Sequence, residues 1–267
     1  MLIRFINFKI CNAFLNMAID EAVNLFVRKD KVVPTFRFYG WESPSISIGE
    51  FQNINDVNID FCSKKNIPIV RRPTGGKGIF HFDDLTYSFS SKKEGIFKGS
   101  LFKSYEIISQ ILGYAFILSG LNVEIRREKR ITNRSALCFA RSSFGEICYK
   151  EFKIVGSAQK RWIDGFLQQG TIPLKVNREL IKEVFNIDDG NLNRIYGIKE
   201  LYENFEIYKF IDNVKKSFKS FGFEILEEEI LEEELAVAEE LLDKYQNPGW
   251  LLGKNLHQFA GNRQSMQ

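Results

Sequence analysis

Apolar residues recur at helical spacing between Asn16 and Arg28: Met17, Ile19, Ala22, Val23 and Phe26 alternate with Asp20, Glu21 and Asn24. That period predicts an amphipathic helix. Thr35 to Tyr39 and Ser45 to Ile48 read as strands joined by a Gly-Trp-Glu-Ser-Pro turn. A short helix over Asp60 to Lys65 and an apolar strand, Ile67 to Val70, come next, then a Gly-rich turn at Thr74 to Gly78 and a strand from Leu85 to Phe89. Leu101 to Leu118 is the most apolar long stretch, but Lys103, Glu106, Ser109 and Gln110 interrupt it. It predicts a buried amphipathic helix closed by Gly120, and not a membrane span. Val123 to Ile125, Glu146 to Tyr149 and Phe152 to Ser157 read as further strands, and a strand pair is expected across Phe166 to Leu174. From Asn177 the period turns helical. The acidic run Glu227 to Glu240 predicts the solvated face of a helix at about 227–245, with Ile230, Leu231, Leu235, Ala238 and Leu242 inward. Strands interspersed with helices, and helices gathered late, give an α+β or mixed α/β class.

Composition narrows the function more than the fold. The chain has 267 residues, 44% of them hydrophobic and 27% charged, which excludes global disorder and gives ample material for a core. The 25 phenylalanines scatter along the chain without forming one stripe, which reads as compositional bias. A net charge of +3, with cations and anions interspersed, shows no basic face and argues against nucleic acid. Met1 to Asn16 lacks a secretory h-region, so a cytoplasmic location is expected, with no membrane partner. Cys11, Cys62, Cys138 and Cys148 form no CxxC pair, and His81 and His257 are the only histidines. Neither a metal site nor a disulfide framework is expected.

Three stretches carry candidate chemistry. Arg71-Arg72-Pro73-Thr74-Gly75-Gly76-Lys77-Gly78 combines a Pro-fixed corner, three glycines and three cations, a nest able to hold an anion or a polarised carbonyl. It lacks the Walker spacing, and a hairpin corner with solvated charges is the other reading. Cys138 lies in the polar, irregular segment 126–144, beside Arg126, Arg127, Arg130, Arg134 and Arg141. It is a buried inert thiol or, favoured by those cations, a thiolate nucleophile. Lys153 precedes Gly156, Ser157 and Ala158, small residues that let a substrate approach the strand; a solvated strand lysine is the plainer reading. His81 with Asp84 invites a Ser-His-Asp arrangement, but the neighbours supply no obvious nucleophile, so a structural histidine is expected.

Together, Arg71-Arg72-Pro-Thr-Gly-Gly with His81, and Lys153-Ile-Val-Gly-Ser-Ala-Gln with Gly170-Thr171, resemble the lipoate–protein ligase and octanoyltransferase family, related to biotin protein ligase. Echoes run through Asn16 to Ala22, Ser45 to Gln52, Asp84 to Ser88 and Lys244 to Trp250, so the likeness covers about residues 1–253 as one catalytic domain. Residues 254–267 match nothing and are expected to be a flexible tail. The resemblance implies the biotin/lipoate ligase fold: mixed sheets flanked by helices, a helical C-terminal segment and a medium-chain acyl tunnel. It implies substrate contacts from Arg71, Arg72, Thr74, Gly75, Gly76, Lys77, His81, Gly156, Ser157, Ala158, Gly170 and Thr171.

Cys138, with Glu146 and Lys153 after it, resembles the cysteine-dependent octanoyltransferase branch. That branch takes octanoyl from acyl carrier protein onto the cysteine. It then passes the group to a lysine of a lipoyl domain or glycine-cleavage H protein. Cys138 as nucleophile and Lys153 as its activator are what the resemblance implies, with no cofactor. An ATP- and Mg-dependent lipoate–protein ligase is the alternative, followed by an octanoyl amidotransferase acting between lipoyl proteins. Lys77-Gly78, Glu50 and Gln169 depart from the commoner family residues, which bears on carrier contacts and chain preference.

Overall fold

The computed structural model describes residues 1–126, 145–187 and 192–253. Its strands are β1 (Leu2–Cys11), β2 (Thr35–Trp41), β3 (Ser45–Ile48), β4 (Ile69–Arg71), β5 (Ile79–His81), β6 (Asp83–Lys92), β7 (Val123–Ile125), β8 (Ile147–Tyr149), β9 (Phe152–Lys153), β10 (Gly156–Arg161), β11 (Gly165–Lys175) and β12 (Glu224–Glu227). The helices are α1 (Ala13–Arg28), α2 (Ile59–Lys64), α3 (Leu101–Leu118), α4 (Arg178–Phe185), α5 (Ile198–Leu201), α6 (Ile207–Ser220), α7 (Glu232–Gln246) and α8 (Pro248–Leu251). The mixed α/β class expected from the sequence is the one observed.

The main sheet runs β10-β11-β6-β2-β1-β12, antiparallel from β10 to β2 and parallel from β2 through β1 to β12. Strands β4-β3-β5 make a small second sheet and β7-β8-β9 a third. One face of the main sheet is covered by α3 and α6, the other by α1 and α7. The phenylalanines are not mere bias. Phe36 meets Phe218 edge-on at 5.4 Å and stacks on Tyr87 at 5.3 Å, and Phe5, Phe38, Phe89 and Phe166 join the same buried cluster. Residues far apart in sequence become one aromatic layer because alternate positions of β1, β2, β6 and β11 point to one face.

Several expectations change. Leu2–Cys11 is a strand whose pattern is hidden by Arg4, which is fully buried on the face opposite Ile3 and Phe5. Its guanidinium meets Glu234 through two bonds, of 3.0 and 2.5 Å, and donates to Thr35 Oγ1 at 3.1 Å. The acidic run is therefore not one solvated face: Glu224–Glu227 is a strand parallel to β1, Glu234 is buried and Leu235 is 39% exposed. Phe166 to Leu174 is one continuous strand, not a pair, because β10 and β6 flank it on both sides. Helix α1 starts earlier than predicted, at a cap where the Asn12 side chain accepts from the Leu15 N–H at 2.9 Å. The expected tail, 254–267, lies outside the described residues.

Candidate active site

The pairing of β10 with β11 brings two of the sequence motifs together: Gly156 faces Thr171, Ser157 faces Gly170 and Ala158 faces Gln169. A Cβ on Gly170 would come within 2.4 Å of the Tyr87 ring and 2.5 Å of Ser157 Oγ, so only glycine fits there. Tyr87 and Ser157 share a hydrogen bond of 2.7 Å above it, and burial pushes the Tyr87 phenol up to about 12.

The Gly-rich turn packs on the end of β3. A Cβ on Gly49 would lie 2.2 Å from the Gly76 carbonyl oxygen, while Gly76 itself adopts φ 89°, a left-handed value that favours glycine. Between this turn and β10–β11 lies a cavity with about 330 Å³ of empty space, counted to its open mouth. It is walled by Arg72, His81, Gly156, Ser157, Ala158, Gly170 and Thr171 from the predicted set, and by Met17, Tyr39, Trp41, Ser47, Ile79, Thr86 and Gln169, which sequence reasoning did not assign. Five of those seven fall inside segments that carry the family resemblance, around Asn16 to Ala22, Ser45 to Gln52 and Asp84 to Ser88, or on the site strands beside Gly170 and His81. Tyr39 and Trp41 carry no such signal.

The predicted cations divide. Arg71 is not among the cavity's walls; its guanidinium donates to the carbonyls of Gly49, Glu50, Gln52, Trp250 and Leu251, tying the turn after β3 to α8. Burial lowers its pKa from the ordinary arginine value. Arg72 does line the cavity and donates to the Ser47 carbonyl and hydroxyl at 2.9 and 3.2 Å and to the carbonyls of Gly75 and Lys77. Lys77 lies at the surface, 3.7 Å from Asp56. Thr74, Gly75 and Gly76 are not among the residues that wall the cavity.

A buried polar network holds the site to α1. Asp20 accepts from Arg37 and Ser88 on one oxygen, each at 2.7 Å, and from Tyr39 and Gln169 on the other, at 2.8 and 2.7 Å. Gln169 in turn accepts from Thr74 at 2.8 Å. Burial and then the Asp20 charge push the Tyr39 phenol well above its ordinary value. Every partner is buried, so the network fixes the turn to the helix at little entropic freedom.

His81 departs from its sequence reading. Its Nε2 is 2.8 Å from Ser47 Oγ and its Nδ1 is 2.7 Å from Asp84 Oδ2. The nucleophile-type neighbour absent from the local sequence is supplied by β3, which pairs antiparallel with β5.

Lys153 lies on β9, and its ammonium is 2.6 Å from Glu146 Oε1; Glu146 is buried and the Lys153 side chain is 9% exposed. Glu146 Oε2 is buried with no hydrogen-bond partner among the described residues. Lys153 is not among the residues that wall the cavity. Cys138 falls in 127–144, outside the described residues. Of the described thiols, Cys62 is pushed to about 11 and Cys148 is raised, both by burial first, as expected of inert core cysteines. Among the described residues no cluster suits a metal ion, and no helix is long and apolar enough to cross a membrane.

Comparison with known proteins bears on the family and the fold. Residues 12–219 match the Lipoyl protein ligase A/B catalytic domain. Octanoyltransferase LipM of Bacillus anthracis is 32% identical over 267 residues, covering 92% of this chain and 96% of that one. Among solved structures, lipoate-protein ligase A bound with ATP superposes with a TM-score of 0.79 at 21% identity, over 95% of this chain and 99% of that one. A bi-partite lipoate protein ligase, described with its E2 lipoyl domain from Thermoplasma acidophilum, gives 0.77 at 19% identity, over 95% and 97%. At these identities the structures speak to the fold.

Proposed function

The chain belongs to the lipoyl protein ligase A/B catalytic-domain family, and from that premise we propose that it is an octanoyltransferase of protein lipoylation that works through a thioester on Cys138. The observation that carries this reading is a cysteine at position 138 in a chain alike, almost end to end, to an octanoyltransferase of the LipM type. Octanoyl enters from acyl carrier protein and leaves on a lysine of a lipoyl domain or glycine-cleavage H protein.

Exchange of one thiolate for another on an acyl carbonyl is nearly neutral in free energy, so the first step needs neither ATP nor another cofactor. Transfer from thioester to amide is downhill. The small residues Gly156 and Ala158 leave room for the acyl group against the β10 backbone, and Arg72 supplies a fixed positive charge at the cavity wall. Lys153, held by Glu146, is the cation proposed to favour the Cys138 thiolate. A lipoate–protein ligase would instead need ATP for every turnover.

Incubation with octanoyl-acyl carrier protein, without ATP, should add one octanoyl group to the wild-type protein by intact mass spectrometry. Cys138→Ser should carry no thioester and should transfer nothing to a lipoyl domain. An ATP requirement, or activity surviving in Cys138→Ser, would replace this reading with the ligase.

A further inference from the structure

We infer that the phosphopantetheine arm on which an acyl carrier protein bears octanoyl lies in a second cavity beside the acyl cavity, with its phosphodiester on Lys175 and Lys199. The inference rests on the transferase reading and gives the donor of that reaction a path. The arm binds before any sulfur is exchanged, so its site does not depend on where Cys138 stands.

Two further hollows continue from the acyl cavity. The first, with about 450 Å³ of empty space counted to its mouth, shares Ile79 and Thr171 with it. Phe80, Phe82, Pro173, Val176 and Ile181 make its apolar wall, and the rings of Phe80 and Phe82 are stacked with centroids 6.4 Å apart. The second is an open groove that shares Phe82, Lys175, Val176 and Asn177 with the first and adds Arg178 and Lys199. Acyl cavity, second cavity and groove follow one another, each joined to the next by residues common to both linings.

The polar groups change along this run. In the acyl cavity the hydroxyls of Tyr39, Ser47, Thr86 and Thr171 are all hydrogen-bonded to neighbouring side chains, which suits an alkyl chain. In the second cavity two groups keep capacity. Asp83 faces Lys175 across the β11–β6 ladder without pairing with it, and its carboxylate has no partner among the described residues. Asn177 accepts from the Leu180 N–H at 3.1 Å as the cap of α4, and its side-chain amide donates to no described residue. An anionic acceptor and an amide donor on an apolar wall complement a peptide-like amide, and pantetheine contains such amides.

In the groove the balance turns positive. Arg178 is held 2.9 Å from Glu200, but Lys175 and Lys199 have no ion-pair partner among the described residues. Glu179 is the remaining carboxylate of the lining, so the unspent ammonium groups outweigh it. Such a surface attracts a phosphodiester. An acceptor lysine fits the order less well. Its ammonium would meet Lys175 and Lys199, and its side chain bears neither phosphate nor amide.

The test shortens the donor step by step. Enzyme acylation is timed by intact mass spectrometry with octanoyl-acyl carrier protein, octanoyl-phosphopantetheine, octanoyl-pantetheine and octanoyl-mercaptoethanol. Lys175→Glu/Lys199→Glu should lower kcat/KM at least about tenfold more for the two phosphate-bearing donors than for octanoyl-pantetheine. Lys175 is exposed and Lys199 half-buried, so the reversal spares the core. Asp83→Ala should lower kcat/KM at least about fivefold more for octanoyl-pantetheine than for octanoyl-mercaptoethanol. Losses equal across the donors overturn the assignment. So does a loss with octanoyl-acyl carrier protein that free octanoyl-phosphopantetheine does not share. Lysine variants that slow transfer from isolated octanoyl-enzyme to a lipoyl domain, and not acylation, also overturn it by making the groove the acceptor's. A wild-type protein that octanoyl-acyl carrier protein never acylates overturns the transferase reading with it, whereas failure of the ratios alone leaves the transferase standing.

Discussion

At the scale of single residues, the ion pair between Lys153 and Glu146 changes what a substitution at Lys153 measures. Glu146 is buried, the Lys153 side chain is 9% exposed, and Glu146 Oε2 has no partner among the described residues. Removing the lysine alone strands a buried carboxylate, which costs about 3–5 kcal/mol when such a pair is broken. Lys153→Ala should therefore lose stability in urea as well as acylation rate. The double variant Lys153→Met/Glu146→Gln removes both charges and should recover most of the stability while acylating Cys138 at least about 100-fold more slowly than wild type. Stable protein acylating at the wild-type rate would show that the ammonium has no part in activating the thiol. Sequence reasoning found Lys153 through its Gly-Ser-Ala neighbours but had no means of showing its partner's burial. His81 is the complementary case. Its local sequence offered no nucleophile, and the pairing of β3 with β5 supplied Ser47 from 34 positions away.

At the scale of elements, the Gly-rich turn is legible as a turn, but the need for each glycine is not. Gly75 has open space where a Cβ would stand, whereas a Cβ at Gly49 would press on the backbone of Gly76. Backbone cannot yield as a long side chain can. Gly49→Ala should cost about 1–3 kcal/mol by overpacking and lower activity with it, while Gly75→Ala should stay within about 0.5 kcal/mol of wild type. Paired urea melts check this, and equal costs would mean the turn does not rest on β3. Strand β11 shows the same limit: a run of 11 residues, buried on both faces, reads as two short strands until both neighbours are known. Strand β1 was missed; its arginine is buried on the face opposite Ile3 and Phe5, where sequence gives no sign of a charged partner.

At the scale of the molecule, the two ends of the chain close the fold together. Arg4 on β1 and Glu234 on α7 meet in the interior, 230 positions apart, and Arg71 grips the carbonyls of α8 from the other side of the site. Arg4→Met alone should cost about 3–5 kcal/mol because it leaves Glu234 buried and unpaired, and Arg4→Met/Glu234→Met should recover most of it. Denaturant midpoints for the three proteins decide the matter; a double variant no better than the single would mean the pair is not what joins the two elements. What the amino-acid order determined by itself was local or cumulative. Helical and alternating periods, the Gly-rich turn, the candidate thiol and lysine, and a family likeness spread over most of the chain all act over a few residues or are summed along it. What only tertiary structure decided was which polar groups share an interior. The Asp20 network, the Arg71 clamp, the Ser47–His81–Asp84 alignment and the phenylalanine layer depend on strand register and on the loss of water around groups distant in sequence, and neither is encoded in spacing.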